Sequence, residues 1–305
     1  MKYACIDRMR SDYPVAVLCR VLRVSRSGYL QHLARQRRRQ ECPAEGQRIS
    51  NSALLVHIRS AHAASRGCYG YPRIWAQLRA QGVRMGKERV RRLMQRHGIV
   101  GRARRRYKAT TNSRHILPVA PNLLARQFNP ERPNQAWAGD ITYIATAESW
   151  LYLASVMDLH SRRVIGWSMS EHMTRHLVMD AMQMAIGQRH PDKDSGLIFH
   201  SDRGSQYCSA ESQQLLQSHG IRRSMSRKGD CWDNACSESL FASLKQERVH
   251  RRGLASRRQA KDEIISWLAW YNSRRLHSTL GYISPVEYER RWQAAHEQVV
   301  MGCVD

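Results

Sequence analysis

The stretch HSDRGSQYCSAESQQLLQSHGIRRSMSRKGDCWDNACSESLFASLK, His200 to Lys245, decides the fold. An apolar run, GLIFH, leads into Asp202, the pattern of a short buried strand closed by an acid. Thirty-five residues separate Asp202 from Glu238, which falls inside a helical pattern that begins near Asn234. A third carboxylate, Asp140, stands in WAGDITYIA, where the period is two and the neighbours are apolar or β-branched. Taken singly, each acid has a plainer reading: a satisfied core Asp at 140, a turn Asp at 202, an exposed helical Glu at 238. Together, acids on a strand, at a strand end and on a later helix can converge on one point. Three such carboxylates suit hard divalent cations, which take oxygen ligands. Two such ions about 3.5–4 Å apart can clamp the attacking and leaving oxygens of a phosphoryl transfer.

Around this stretch the period-two pattern extends upstream. AWAGDITYIA, LYLASVMDLHS and RVIGWSMS read as three strands, the last two joined by a turn at His160 to Arg162. A helix over about Thr174 to Arg189 follows, then the strand ending at Asp202, a helix from Ala210 to His219, the short strand IRRSMS and the Glu238 helix. The order β-β-β-α-β-α-β-α predicts an α/β fold: a mixed sheet with helices on both faces. After Arg248, Ile264, Ile265, Trp267, Leu268 and Tyr271 mark a long amphipathic helix, and Pro285 opens a last one. Trp267 and Trp270 read as packing residues, whereas Arg274, Arg275 and His277 could touch DNA.

The N-terminal part is helical. Val15, Leu18, Cys19 and Leu22 recur at helical spacing, and Ser25 or Ser27 can cap a second helix that ends in Arg35, Arg37, Arg38 and Arg39. This resembles half of a helix-turn-helix; a plain helical hairpin with a solvated basic end fits it equally. Residues 50–99 give three helices: one from Ser52 to Ala64, one opened by Pro72 and stopped at Gly82, and one from about Gly86 to Gly98. The third carries Lys87, Arg89, Arg91, Arg92 and Arg96 on the face opposite its apolar residues, as expected of a helix that enters a major groove. Residues 100–130, with Arg102, Arg104, Arg105 and Arg106, read as a basic linker able to track a phosphate backbone or minor groove. The expected division is therefore 1–45 helical segment, 46–99 helix-turn-helix, 100–130 linker, 131–250 sheet domain and 251–305 helical extension.

Charge agrees with this division. The net charge is +25, but residues 1–128 hold 28 Lys+Arg against 5 Asp+Glu, and residues 129–305 hold 22 against 20. A basic region joined to a balanced domain points to nucleic acid as the partner. The eight cysteines show no C-x-x-C pair, which argues against zinc spacing and against a secreted disulfide framework. Met1 to Arg10 has no apolar signal core, and no apolar run approaches a membrane span. A cytoplasmic, nucleoid-associated protein with no membrane partner is expected.

On WAGDITYI, HSDRGSQY, the Asp233–Ser239 block DNACSES, Lys245 seven residues past Glu238, and WYNSRRLHSTLGYISPVEYE, the chain resembles the DDE transposases of the insertion-sequence-three family, second reading frame product. The resemblance runs from about Tyr13 to Tyr288. It implies a ribonuclease-H-like, retroviral-integrase-like core, with Asp140, Asp202 and Glu238 as catalytic and metal-ligating residues. It also implies two magnesium ions, replaceable by manganese, and cleavage and joining of transposon ends to target DNA through a figure-of-eight and then a circle. A synaptic complex of two or more copies and an upstream first-frame product are the expected partners. A truncated, non-enzymatic DNA-binding modulator of transposition is the alternative; the presence of all three acids argues against it.

Several single residues carry expectations of their own. Asp158 ends a strand and is the acid most easily mistaken for a ligand. Asp230 and Asp233 read as turn and N-cap residues, and Asn234, one turn before Glu238, could orient it or touch DNA. At 100° per residue, Lys245 returns to within about 20° of Glu238 while Glu247 falls on the opposite face. Lys245 is thus expected to face DNA, and Glu247→Ala to do little. From the charge asymmetry, a fragment that starts at Gln127 is expected to bind DNA weakly. Titration against salt should give it a shallower slope than the whole chain, and an unchanged slope would place the affinity in the C-terminal helices instead.

Overall fold

The computed structural model describes residues 2–41, 49–102, 118–227, 231–249 and 253–301. Three helices open the chain: α1 (Lys2–Met9), α2 (Val15–Val21) and α3 (Arg26–Glu41). They close on Ile6, Leu18, Cys19 and Tyr29, and the Tyr29 hydroxyl donates to Asp7 at 2.6 Å. Sequence reading missed α1, because Ile6 alone is buried in it and no apolar stripe announces it.

The next three helices are α4 (Asn51–Ala64), α5 (Tyr71–Ala80) and α6 (Lys87–Arg96). Ser50 caps α4 by accepting from the Ala53 N–H at 3.1 Å, and Pro72 occupies the first turn of α5, where no N–H is needed. Leu54, Ile58, Ile74, Leu78, Val90 and Met94 form their common core.

The sheet region follows the expected order: β1 (Ala136–Ala145), β2 (Trp150–Asp158), β3 (Val164–Ser170), α7 (Arg175–Arg189), β4 (Ile198–Ser201), α8 (Ala210–Ser218), β5 (Arg222–Met225), a 3₁₀ turn at Cys231–Asn234, and α9 (Ala235–Glu247). Two further helices, α10 (Arg257–Ser273) and α11 (Pro285–Met301), complete it. The five strands lie in the order β3-β2-β1-β4-β5. β1–β2 and β2–β3 are antiparallel, while β1–β4 and β4–β5 are parallel. The sheet is mixed, with one core on each face. On one face Ala138, Ile144, Leu153 and Met157 meet Leu240, Phe241 and Leu244 of α9 and Ile264, Trp267 and Tyr271 of α10. On the other, Trp137, Val156 and Phe199 meet Leu177, Ala181 and Met182 of α7 and Leu216 of α8. Alternation along each strand sends successive side chains to the two cores, so both are legible in a period of two.

The cores do not respect the expected boundaries at 130 and 250. Leu124, read as linker, and Trp267, read as extension, are buried in one cluster with the sheet. Residues 121–124 run along β5: Met225 N–H donates to the Pro121 carbonyl at 3.3 Å, and Ser224 Oγ accepts from Leu123 and Leu124 at 2.9 and 3.1 Å. They cover an edge that would otherwise present unpaired backbone groups. A fragment cut at Gln127 would lose this cover, so the salt experiment should use a cut at Pro118.

Candidate active site

The sheet register brings two of the three acids together. Ala138 of β1 pairs with His200 of the parallel strand β4. Asp140, midway along β1, and Asp202, just past the end of β4, each lie two residues further on, which sets them side by side on adjacent strands about 4.8 Å apart in the hydrogen-bonding direction. Both follow the even-numbered residues that face α9. Gly139 makes room for this arrangement: a Cβ there would lie 2.4 Å from the Phe199 ring. Asp140 Oδ1 accepts from the Ile141 N–H and Asp202 Oδ1 from the Gly204 N–H, at 2.8 and 2.9 Å. Burial pushes the Asp140 carboxyl well above its ordinary range, Asp202 adds to it, and Glu238 contributes further.

Glu238 occupies the first turn of α9 and is exposed. Lys245 lies two turns along. Burial lowers its ammonium, and the charge of Asp140 offsets part of that effect. Its Nζ stands 4.6 Å above the Tyr143 ring. Tyr207, in the HSDRGSQY segment, is buried beneath the acids: burial raises its phenol, and Asp140 and Asp202 raise it further. Among the described residues, no group of three His, Cys, Asp or Glu side chains stands arranged to hold a metal ion.

Asp158, the acid most easily mistaken for a ligand, stands apart from these acids, while the expectations for Asp233 and Asn234 are corrected. Asp158, the last residue of β2, pairs with Trp137 near the start of β1, is fully buried, and accepts from the Asn134 and His160 N–H groups at 2.8 and 2.9 Å. Its role is to fix the turn after β2. Asp233 is not an N-cap. It is buried, with Oδ1 and Oδ2 accepting from Arg227, Arg126 and Asn122 at 2.9–3.0 Å. The hydrogen bonds from Arg227 hold its carboxyl far below the usual range. The clasp ties residues 122–126 to the start of α9. Asp230 lies outside the described residues. Asn234 is buried, not presented to a partner, and its Oδ1 has no hydrogen-bond partner.

Glu247 overturns a second expectation. The face of α9 opposite Glu238 is the buried one. Glu247 Oε1 accepts from Arg275 Nη2 at 2.8 Å and Oε2 from Trp267 Nε1 at 3.0 Å. Arg275, expected to reach DNA, is 4% exposed, and Nη1 donates to His277 Nε2 at 3.2 Å. Burial, then the Arg275 charge, push His277 down to about 2, so it stays neutral and accepts. Arg274 remains exposed.

The helix-turn-helix region docks on this same end of α9. Arg102, expected to contact DNA, donates to the Gln246 and Glu247 carbonyls at 3.0 and 2.8 Å, satisfying groups that a helix end leaves open. Tyr69 accepts from the Leu276 N–H at 2.8 Å and donates to the Arg274 carbonyl at 3.4 Å. On α6, Arg89 is committed to Asn51 and the Ile49 carbonyl. Arg91 and Arg92 share Glu88, and Lys87 lies over the Tyr71 and Trp75 rings. Lys87, Arg91, Arg92 and Arg96 are exposed. Arg104, Arg105 and Arg106 lie outside the described residues.

Residues 130–231 and 219–285 match the integrase core domain, and residues 50–107 match an HTH-like domain. With the mixed ribonuclease-H-like sheet, these matches define an integrase-type polynucleotidyl transferase. The chain is 42% identical over 292 residues to the transposase InsF for insertion sequence IS3A of Escherichia coli (strain K12), covering 95% of this chain and 99% of the relative. It is 39% identical to an uncharacterized 31 kDa protein of insertion element IS600 from Shigella sonnei, over 90% of this chain and 98% of that one. The HTLV-2 integrase catalytic core domain, solved in complex with magnesium, superposes at a TM-score of 0.42 with 18% identity, over 53% of this chain and 99% of that one. The chain belongs to the IS3 family of transposases, enzymes of DNA transposition. Among the described residues no helix is long and apolar enough to cross a membrane.

Because Glu247 and Arg275 are both buried, removing one partner strands the other. Glu247→Ala is expected to cost about 3–5 kcal/mol in chemical denaturation. A loss under about 1 kcal/mol would show that the pair does not hold α9.

Proposed function

We propose that this transposase binds insertion-sequence ends through its N-terminal helices and cuts and joins DNA strands at Asp140, Asp202 and Glu238. The observation that carries the reading is the Ala138–His200 register, which sets two carboxylates side by side under a helix bearing the third. The donor set fits magnesium, or manganese in its place: all donors are carboxylate oxygens, and Asp140 is pushed up by burial and by its neighbours' like charge. A hard cation would relieve that repulsion. When bound, two such ions would lower the pKa of the attacking water or 3′-hydroxyl and stabilise the leaving 3′-oxygen.

The chain's own part is to position and to stabilise charge. The pairing of β1 with β4 fixes Asp140 and Asp202, and α9 presents Glu238. Lys245 supplies a point charge for a phosphate beside the scissile bond. Asn234, buried one turn before Glu238, orients that first turn. Exposed Lys87, Arg91, Arg92 and Arg96 meet the DNA phosphates, and the charges of Arg104, Arg105 and Arg106 add to that attraction. The catalytic unit runs from Pro118 through α11, with the two helical sets before it. Two or more copies join in a synaptic complex, with a first-frame product as a further partner.

Strand cleavage and end binding by purified variants test this. Asp140→Asn, Asp202→Asn and Glu238→Gln should each lower cleavage by about 10²–10³-fold or more while end binding stays near wild type. Asp158→Asn, at the end of β2 and beside the start of β1, should keep cleavage. Near-normal cutting by any of the first three would remove that residue from the site.

A further inference from the structure

A strip of side chains leads away from the acids to the open end of the sheet. Lys245, whose charge acts on Asp140, lies over Tyr143. Tyr143 meets Trp150 edge to face, with ring centroids 5.1 Å apart and planes at 88°. In the β1–β2 register Tyr143 pairs with Tyr152, so Trp150 is its diagonal neighbour on one face of the hairpin. Tyr143 is 41% exposed and Trp150 47%.

The hairpin does not need this pair in order to close. Thr146 N–H and Oγ1 both donate to the Ser149 carbonyl, at 3.0 and 2.6 Å, and Thr146 Oγ1 accepts from the Ser149 N–H at 3.2 Å. Ala147 N–H donates to the Leu254 carbonyl at 2.8 Å, and Glu148 accepts from the Arg257 N–H at 2.9 Å. With the turn held in this way, nearly half of a tryptophan is left bare against the Tyr143 ring that carries the Lys245 ammonium. An exposed aromatic face next to a positive charge is what an unstacked nucleobase and its phosphate require.

We propose that Tyr143 and Trp150 form a stacking platform for one unpaired nucleobase of the DNA strand being processed, with Lys245 taking the adjoining phosphate. This rests on the reading that Asp140, Asp202 and Glu238 cut DNA. Tyr143 lies three residues beyond Asp140, about 10 Å along the strand. At a rise of about 3.4 Å per base the stacked nucleotide falls within roughly three positions of the scissile phosphate. Tyr143, braced by Lys245, holds Trp150 upright, and Trp150 offers the open face.

The test uses the full chain and end duplexes carrying 2-aminopurine at each of the terminal positions in turn, with target duplexes labelled likewise, before metal is added. Stacking quenches the probe at one position. Trp150→Phe keeps the quench; Trp150→Leu, equally apolar but unable to stack, and Tyr143→Ala lose it and weaken end binding by about 5- to 10-fold. A response in the end duplex assigns the base to the element, and one in the target duplex assigns it to the target. Equal emission from wild type and Trp150→Leu at every position, with both proteins folded by circular dichroism, overturns the platform. Asp140→Asn run in parallel separates the two readings. If it still cuts while the Trp150-dependent quench persists, the acid assignment fails and the platform stands. If it is inactive and no position depends on Trp150, the platform alone fails.

Discussion

The parallel pairing of β1 with β4 is the constraint on which the rest depends. It is unfavourable locally: two carboxylates stand side by side on neighbouring strands, Asp140 half-buried, and Asp202 raises the cost of ionising Asp140. The sheet imposes it through contacts that have nothing to do with the acids. Trp137 and Phe199 lock one face, Ala138 and Ile198 the other, and Gly139 admits the Phe199 ring. A large, well-packed sheet can hold a repulsive pair that a small or isolated hairpin could not. This is the usual relation between a packed scaffold and a functional site that breaks its rules.

Helix α9 is fixed from three directions. Leu240, Phe241 and Leu244 press it on the sheet, Glu247 binds it to Arg275 and Trp267 of the C-terminal region, and Arg102 caps its last carbonyls from the helix-turn-helix side. Gly101 packs so closely on Gly70 that a Cβ would lie 2.3 Å from the Gly70 nitrogen, which leaves Arg102 little choice of direction. The helix that carries Glu238 and Lys245 is therefore also the meeting point of the N-terminal and C-terminal regions. Asp233 ties its other end to the segment that leads in from the N-terminal helices. Contacts at both ends give the N-terminal region a physical route to the acids.

Much of this was legible in the sequence, and the misses have physical causes. Strands, helices and the order of elements follow from apolar periodicity, which reports directly on burial. Register does not. Nothing in WAGDITYIA says that Ala138 will face His200, so the level placement of Asp140 and Asp202 is visible only in the folded sheet. Periodicity also placed Glu247 opposite Glu238 correctly but not its surroundings. A charged residue at a core position reads as solvated until its partner is known, and Arg275 lies 28 residues away. Arg102 was misread for the same reason, inside a basic run where one member turns inward. The fault at Asp233 was local: its place before a helix suggested a cap, while its partners come from residues 122–126 and Arg227.

The repulsion that Asp202 adds at Asp140 is what the proposed divalent cations relieve, and thermal unfolding with and without Mg²⁺ or Mn²⁺ reads this without relying on catalysis. Wild type should gain several degrees in Tm when the metal is added, since a ligand bound only by the folded state stabilises it. Asp140→Asn should be at least as stable as wild type in metal-free buffer and should gain little from the metal. A variant less stable than wild type without metal, or one that gains as much as wild type when metal is added, would contradict the account.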